Sequence, residues 1–178
     1  MTSLESILDL RPAELGDLLR KGYSIDPGAL ADANYFGVSL GLPAIVERFT
    51  WKVFRKAFRR DPASGRVVGF NVRLQQLGIG GPAEPMLKRG KPIEFGPFAV
   101  TELPPDGSPF GCRAGVLLDY GVPASALSPL GLVRDPLVAL EPGSVELLLG
   151  ATYLASPLSR RSSIAKTPSF FVLRREPA

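Results

Sequence analysis

The sequence predicts a mainly β chain in which short strands, joined by tight turns, fold as an antiparallel sandwich or barrel behind a few short N-terminal helices. Three observations carry this reading. From Phe49 onward the apolar pattern takes a period of two, the spacing of a strand that shows alternate residues to opposite faces. The 19 glycines and 18 prolines, about a fifth of 178 residues, have no collagen-like period and supply more turn chemistry than a helix bundle uses. About seven strand candidates follow one another at hairpin spacing. With 45% hydrophobic and 21% charged residues, the chain can bury the core of one domain, expected to span residues 1–178.

The first fifty residues read as helical. Thr2 and Glu5 have the spacing of a capping box ahead of Ile7, Leu8 and Leu10. Pro12 suits the first position of a second helix, Leu15, Leu18 and Leu19 form its apolar stripe, and Gly22 ends it. Asp26-Pro27-Gly28 restarts the chain, and Pro43 opens a last apolar turn with Ile45 and Val46. These pieces are too short for a bundle, so residues 1–48 are expected to cap a β structure formed by residues 49–178.

Around Val53 and Ala57, substantial side chains fall on both faces of the first strand, Lys52, Phe54, Lys56 and Phe58 among them. Asp61-Pro62-Ala63-Ser64-Gly65 is a hairpin connection. A long strand over 66–77 follows, with Val68, Phe70, Val72 and Leu74 on one face and Val67, Gly69, Asn71, Arg73 and Gln75 on the other. Residues 78–92 read as loop. Strands are then expected over 93–103, with a bulge or edge position at Gly96-Pro97, and over 113–120, 137–140, 146–155 and 169–175.

Ala33-Asn34-Tyr35-Phe36-Gly37, followed by Lys56-Ala57-Phe58, resembles the spacing of the bacterial and plant GXWXG-type proteins, with Ala33 and Tyr35 standing at the glycine and tryptophan positions and Val53 and Arg55 at the next pair. Leu118-Asp119-Tyr120-Gly121, Arg134-Asp135-Pro136 and Leu148-Leu149-Gly150 are similar to downstream landmarks of that group. The resemblance runs from about Leu30 to Leu173. It implies a lipocalin-like antiparallel barrel with helices at one end, and no particular reaction.

Composition removes several chemistries. The chain has no histidine and one cysteine, Cys112, which excludes Ser-His-Asp and Cys-His catalysis, His-bound zinc and an internal disulfide. Gly78-Ile79-Gly80-Gly81 lacks the lysine and hydroxyl of a phosphate loop, and the carboxylates are scattered, so neither a cofactor nor a metal is expected. The net charge of +4 rests on local clusters, chiefly Arg55, Lys56, Arg59 and Arg60, read as a solvated strand face; nucleic acid is not expected as a partner. No apolar run approaches a membrane span and no signal segment opens the chain, so a cytoplasmic location is expected. A homo-oligomer is compatible with all of this.

The candidate site follows from what a small barrel can hold, either a filled interior or a pocket for one modest ligand. Asn71, Arg73 and Gln75 share one strand face. They point to water if their strand's apolar face packs under the helices, and converge on a ligand if the barrel wraps a cavity. In the second case Trp51, Phe95, Tyr153 and Phe171 supply walls, with Phe98 and Phe170 available beside them. Asp119 and Tyr120 end a buried strand, with Asp135 in the loop beyond; Asp119 and Asp135 serve either as general acids or bases or as partners for Arg113, Arg134 and loop backbone. Without histidine, proton transfer would fall to Tyr120, Asp119 or Glu94, or to a lysine. Lys52 and Lys56 could form a Schiff base only if buried, and both are expected to be exposed. The first functional expectation is binding of a small, largely apolar ligand inside the barrel. The alternative is a cofactor-free cyclase or isomerase of a hydrophobic natural product in the same cavity. A third is a structural or protein-interaction module.

Overall fold

The computed structural model describes residues 3–40, 52–123, 129–156 and 163–177. Helix α1 (Leu4–Leu8) is capped one residue later than expected: the Ser3 hydroxyl accepts from the Ser6 N–H and the Ser6 hydroxyl accepts in return from the Ser3 N–H. Helix α2 (Pro12–Lys21) opens on Pro12 as predicted, and the Glu14 carboxylate accepts from the Arg11 N–H. It ends at Gly22, where a Cβ would lie 2.2 Å from the Val138 side chain, so the glycine lets the chain pass close against the sheet. A single turn, α3 (Pro27–Leu30), is capped by the Asp26 carboxylate accepting from the Gly28 N–H.

The remaining elements are β1 (Asn34–Leu40), β2 (Val53–Arg60), β3 (Val67–Arg73), β4 (Leu87–Lys88), β5 (Lys91–Pro92), β6 (Glu94–Glu102), β7 (Val116–Asp119), β8 (Val133–Ala139), β9 (Leu147–Ala155) and β10 (Ser163–Arg175). Eight of them close an antiparallel barrel in the order β1-β10-β9-β8-β7-β6-β3-β2, while β4 and β5 form a small separate hairpin. The mainly β barrel with short N-terminal helices is therefore the fold the sequence predicts.

The element sequence reasoning missed is β1, which lies inside the stretch expected to be helical. It is the strand that closes the barrel, pairing with β2 on one side and β10 on the other. Phe36, Val38 and Leu40 are buried on one face while Tyr35 is buried on the other, so the strand reads as an apolar run with no visible period. The Pro43 turn and Trp51 lie outside the described residues. Other boundaries move: β3 stops at Arg73, the region 78–92 contains the β4–β5 hairpin, β7 begins at Val116, β10 begins at Ser163, and β8 begins at Val133, which puts Asp135 in a strand and not in a loop. The hairpin turns through Arg89 and Gly90, both with positive φ (54° and 76°), the conformation of a tight two-residue β-turn. At the expected bulge, Gly96 takes φ +54° beside a register shift between β3 and β6; the strand is interior to the ladder and not at an edge.

The wall is apolar on both sides over part of its circumference. One cluster, with Tyr35, Phe58, Phe98, Leu118, Leu137 and Leu148, fills the lumen and is plugged at one end by Ile25 and Leu30. A second cluster packs Leu4, Ile7, Leu15 and Leu19 of α1 and α2 against the outward Phe36, Val38, Val138, Leu149 and Val172. Three lumen rings lie across glycines that are their direct cross-strand partners: Phe54 over Gly37, Phe98 over Gly69 and Phe171 over Gly150. A Cβ on those glycines would come within 2.5, 2.5 and 2.2 Å of the respective rings. Glycine thus gives each ring its place, and each ring shields a bare backbone.

Two predictions follow from this packing. Gly150→Ala drives a methyl into the Phe171 ring and should cost about 1–3 kcal/mol in urea denaturation, part of it recovered by Phe171→Leu in the same chain. The Tyr35 hydroxyl, buried with no hydrogen-bond partner among the described residues, has its pKa pushed by burial from 10.0 up to about 12. An acid that keeps its proton in the folded state contributes its full share below pH 10 and loses it as pH rises toward 12. Tyr35→Phe should therefore flatten the fall of Tm over that window relative to the parent, and be at least as stable at neutral pH.

Candidate functional site

Strand alternation divides β7 and β8 into an outward and an inward pair. Asp119 and Arg134 are cross-strand partners whose buried side chains pair on the outside at 3.1 Å, and the Asp119 carboxylate also accepts from the Gly121 N–H at 2.7 Å. Arg134 donates further to the carbonyls of Gly131 and Val133, fixing the turn (Pro129–Leu132) that leads into β8. The neighbouring residues, Tyr120 and Asp135, turn the other way, into the lumen.

There they meet Lys56. On β2 this lysine stands between Phe54 and Phe58, and its cross-strand partner on β3 is Asn71. Its side chain is 3% exposed, and its Nζ donates to the Tyr120 hydroxyl at 2.6 Å, to Asn71 Oδ1 at 3.0 Å and to Asp135 Oδ2 at 3.2 Å. Four rings surround the same nitrogen, Phe171, Phe98, Tyr120 and Phe54, with centroids 5.0–5.6 Å away. Asp135 is held in turn: Tyr120 donates to Oδ2 at 3.1 Å and Thr152 of β9 donates to Oδ1 at 2.8 Å. Asn71 donates through its amide to the Gly96 carbonyl exposed at the bulge, 3.2 Å away.

The electrostatics follow from this enclosure. Burial pulls the Lys56 ammonium below its ordinary pKa, and the Asp135 carboxylate opposes the shift. Burial, reinforced by the Asp135 charge, pushes the Tyr120 phenol well above 10.0. The network is arranged around a shared proton population: ammonium, phenol and carboxylate lie within hydrogen-bond reach of one another in an apolar surround.

Above this cluster lies a cavity of about 250 Å³. Lys56, Asn71, Tyr120, Asp135 and Thr152 supply its polar wall; Phe54, Phe95, Phe171 and Val133 its apolar wall, with the exposed Leu130 at the rim. Among the described residues no three Asp, Glu, Cys or His side chains gather in a way that could hold a metal ion.

Of the residues singled out from sequence, Tyr120, Asp135, Asn71, Phe95 and Phe171 come together at this cavity. Asp119 lies on the outer face in its ion pair with Arg134, because it is one residue from the inward Tyr120. Glu94 is exposed near the start of β6, and Gln75 is exposed beyond the end of β3. Arg73 lays its guanidinium over the Phe95 ring, 5.7 Å from the centroid, and does not line the cavity. Tyr153 is buried in a different layer, with Leu117, Ala155 and Phe110. Trp51 lies outside the described residues. Sequence reasoning placed Lys56 on a solvated face and missed Thr152; the available signal was the spacing Phe54-x-Lys56-x-Phe58, since a solvated face does not flank a lysine with two phenylalanines on its own side.

Comparisons with protein-family models, with characterised proteins and with solved structures return no match.

The buried pair makes a thermodynamic prediction. Lys56→Met leaves the Asp135 carboxylate in the lumen without its cation and should cost about 3–5 kcal/mol, whereas Lys56→Met combined with Asp135→Asn should recover most of that loss. A double-mutant cycle by urea denaturation reads the coupling directly; additive losses would show that the two groups do not act as a pair.

Proposed function

We propose that the barrel binds a small, largely apolar molecule in its lumen, with one oxygen function directed at the Lys56, Tyr120 and Asn71 cluster. The observation that carries this reading is the composition of the cavity, an apolar wall with a few convergent polar groups, which is how sites for small molecules are usually built. Its volume, close to the lower end of such sites at roughly 300 Å³, suits a compact ligand. No helix among the described residues is long and apolar enough to cross a membrane, and a cytoplasmic setting belongs to this reading. So does kinship with the GXWXG-type, lipocalin-like proteins: the two segments that carry the resemblance fall on β1 and β2, neighbouring strands of the barrel.

A second reading is cofactor-free isomerisation or cyclisation in the same cavity. It is favoured by one observation, the Tyr120 hydroxyl held between the Lys56 ammonium and the Asp135 carboxylate, where a proton can be passed to or from a bound substrate.

The binding reading is tested with 1-aminoanthracene, whose fluorescence rises in an apolar pocket. The parent should bind one equivalent, and Val133→Trp, which fills the cavity from its apolar wall, should lose at least about tenfold in affinity, some 1.4 kcal/mol, while keeping its Tm. No fluorescence gain in the parent, or an unchanged gain in Val133→Trp, would show that the lumen is not the binding site.

A further inference from the structure

Resting on the binding reading, we propose that Lys56 captures its ligand covalently and reversibly: the cavity takes a small apolar aldehyde or ketone, and the Lys56 Nζ condenses with its carbonyl carbon to an imine. A lysine on a solvated strand face has no such role. This one is 2% exposed, sits in the cavity wall, and is the sole lysine among the described cavity-lining residues.

The geometry supplies what the condensation needs. An amine attacks only as the free base, and a buried ammonium gives up its proton more easily than one in water. Asp135 lies 3.2 Å away to receive that proton. The transfer turns a buried charge pair into a neutral amine and a neutral acid, an exchange that a low-dielectric lumen favours increasingly as a ligand displaces water. With the proton gone, the hold of Asp135 on the nitrogen weakens, and Nζ is released to turn toward the cavity.

Every atom in the step is accounted for. The Nζ lone pair forms the N–C bond as the C=O π bond breaks and its electron pair moves to oxygen. That oxygen takes one proton from Nζ, relayed by the Tyr120 hydroxyl at 2.6 Å, and a second from the Asp135 acid. The C–O bond then breaks and water leaves. The products are a protonated imine on Lys56, an Asp135 carboxylate opposite it, and one water. The cation and its counter-ion are thus restored in place, so capture leaves no uncompensated charge in the lumen. The four rings around Nζ suit a flat, delocalised iminium as well as they suit an ammonium. No oxidant, reductant or metal enters the balance.

The test is reductive trapping with benzaldehyde and sodium cyanoborohydride, followed by peptide mapping. Burial that lowers an amine's pKa raises its unprotonated, nucleophilic fraction. The benzyl group should therefore appear on Lys56 faster than on the exposed Lys21, Lys88 and Lys91. Lys56→Arg keeps a cation opposite Asp135 and should lose the fast labelling, with its fold checked by its Tm. Labelling of the exposed lysines first, with Lys56 untouched in protein that binds 1-aminoanthracene, would overturn the imine and leave the binding reading standing. Failure of the parent to bind 1-aminoanthracene at all would remove both.

Discussion

A cation and an anion held together inside a closed apolar tube constrain everything around them. The Lys56–Asp135 pair is almost wholly buried, and a charge placed there singly would be expelled or neutralised. The remaining lumen polar groups are arranged to prevent that outcome: Asn71 and Tyr120 complete the coordination of the ammonium, and Thr152 and Tyr120 complete that of the carboxylate. These groups come from β2, β3, β8 and β9, with Tyr120 just past the end of β7. The cluster therefore exists only when the ladders on both sides of the cavity are in register, and an error of one residue in any of these strands would turn a required group outward.

The same alternation explains why adjacent residues have unrelated roles. Asp119 and Arg134 neutralise each other on the outside of β7 and β8, where they hold a turn; their sequence neighbours Tyr120 and Asp135 serve the interior. The glycine–aromatic partnerships act at a larger scale. By letting Phe54 and Phe171 lie flat across neighbouring strands, Gly37 and Gly150 position two walls of the cavity and two of the rings around the ammonium. The shape of the site is therefore written as much in residues without side chains as in those with them.

Much of the barrel was legible in the chain because turns announce themselves: Asp61 to Gly65 and the Gly96 bulge sit where their residue types require them. What failed were the places where the wall is buried on both sides. Under α1 and α2 the outer face is as apolar as the inner, so β1 lost the alternation that would have marked it as a strand. The site was half legible for a related reason. Tyr120, Asn71, Phe95 and Phe171 were found by residue type and strand position, but Lys56 was read as surface, because lysine is buried only when partners remote in sequence meet it. Its anion is seventy-nine residues away, and no local pattern reports that distance.

The seam between β1 and β10 carries a cost in time. Tyr35 must find Arg175 before the tube exists, so every strand from β1 to β10 has to emerge before the two can join. Until then Phe36, Val38 and the unfilled backbone edge of β1 stand open, a surface onto which another unfinished copy could add a strand. The helices α1 and α2 precede β1, but their main seats are on β9 and β10, so they too settle only once the last strands have arrived.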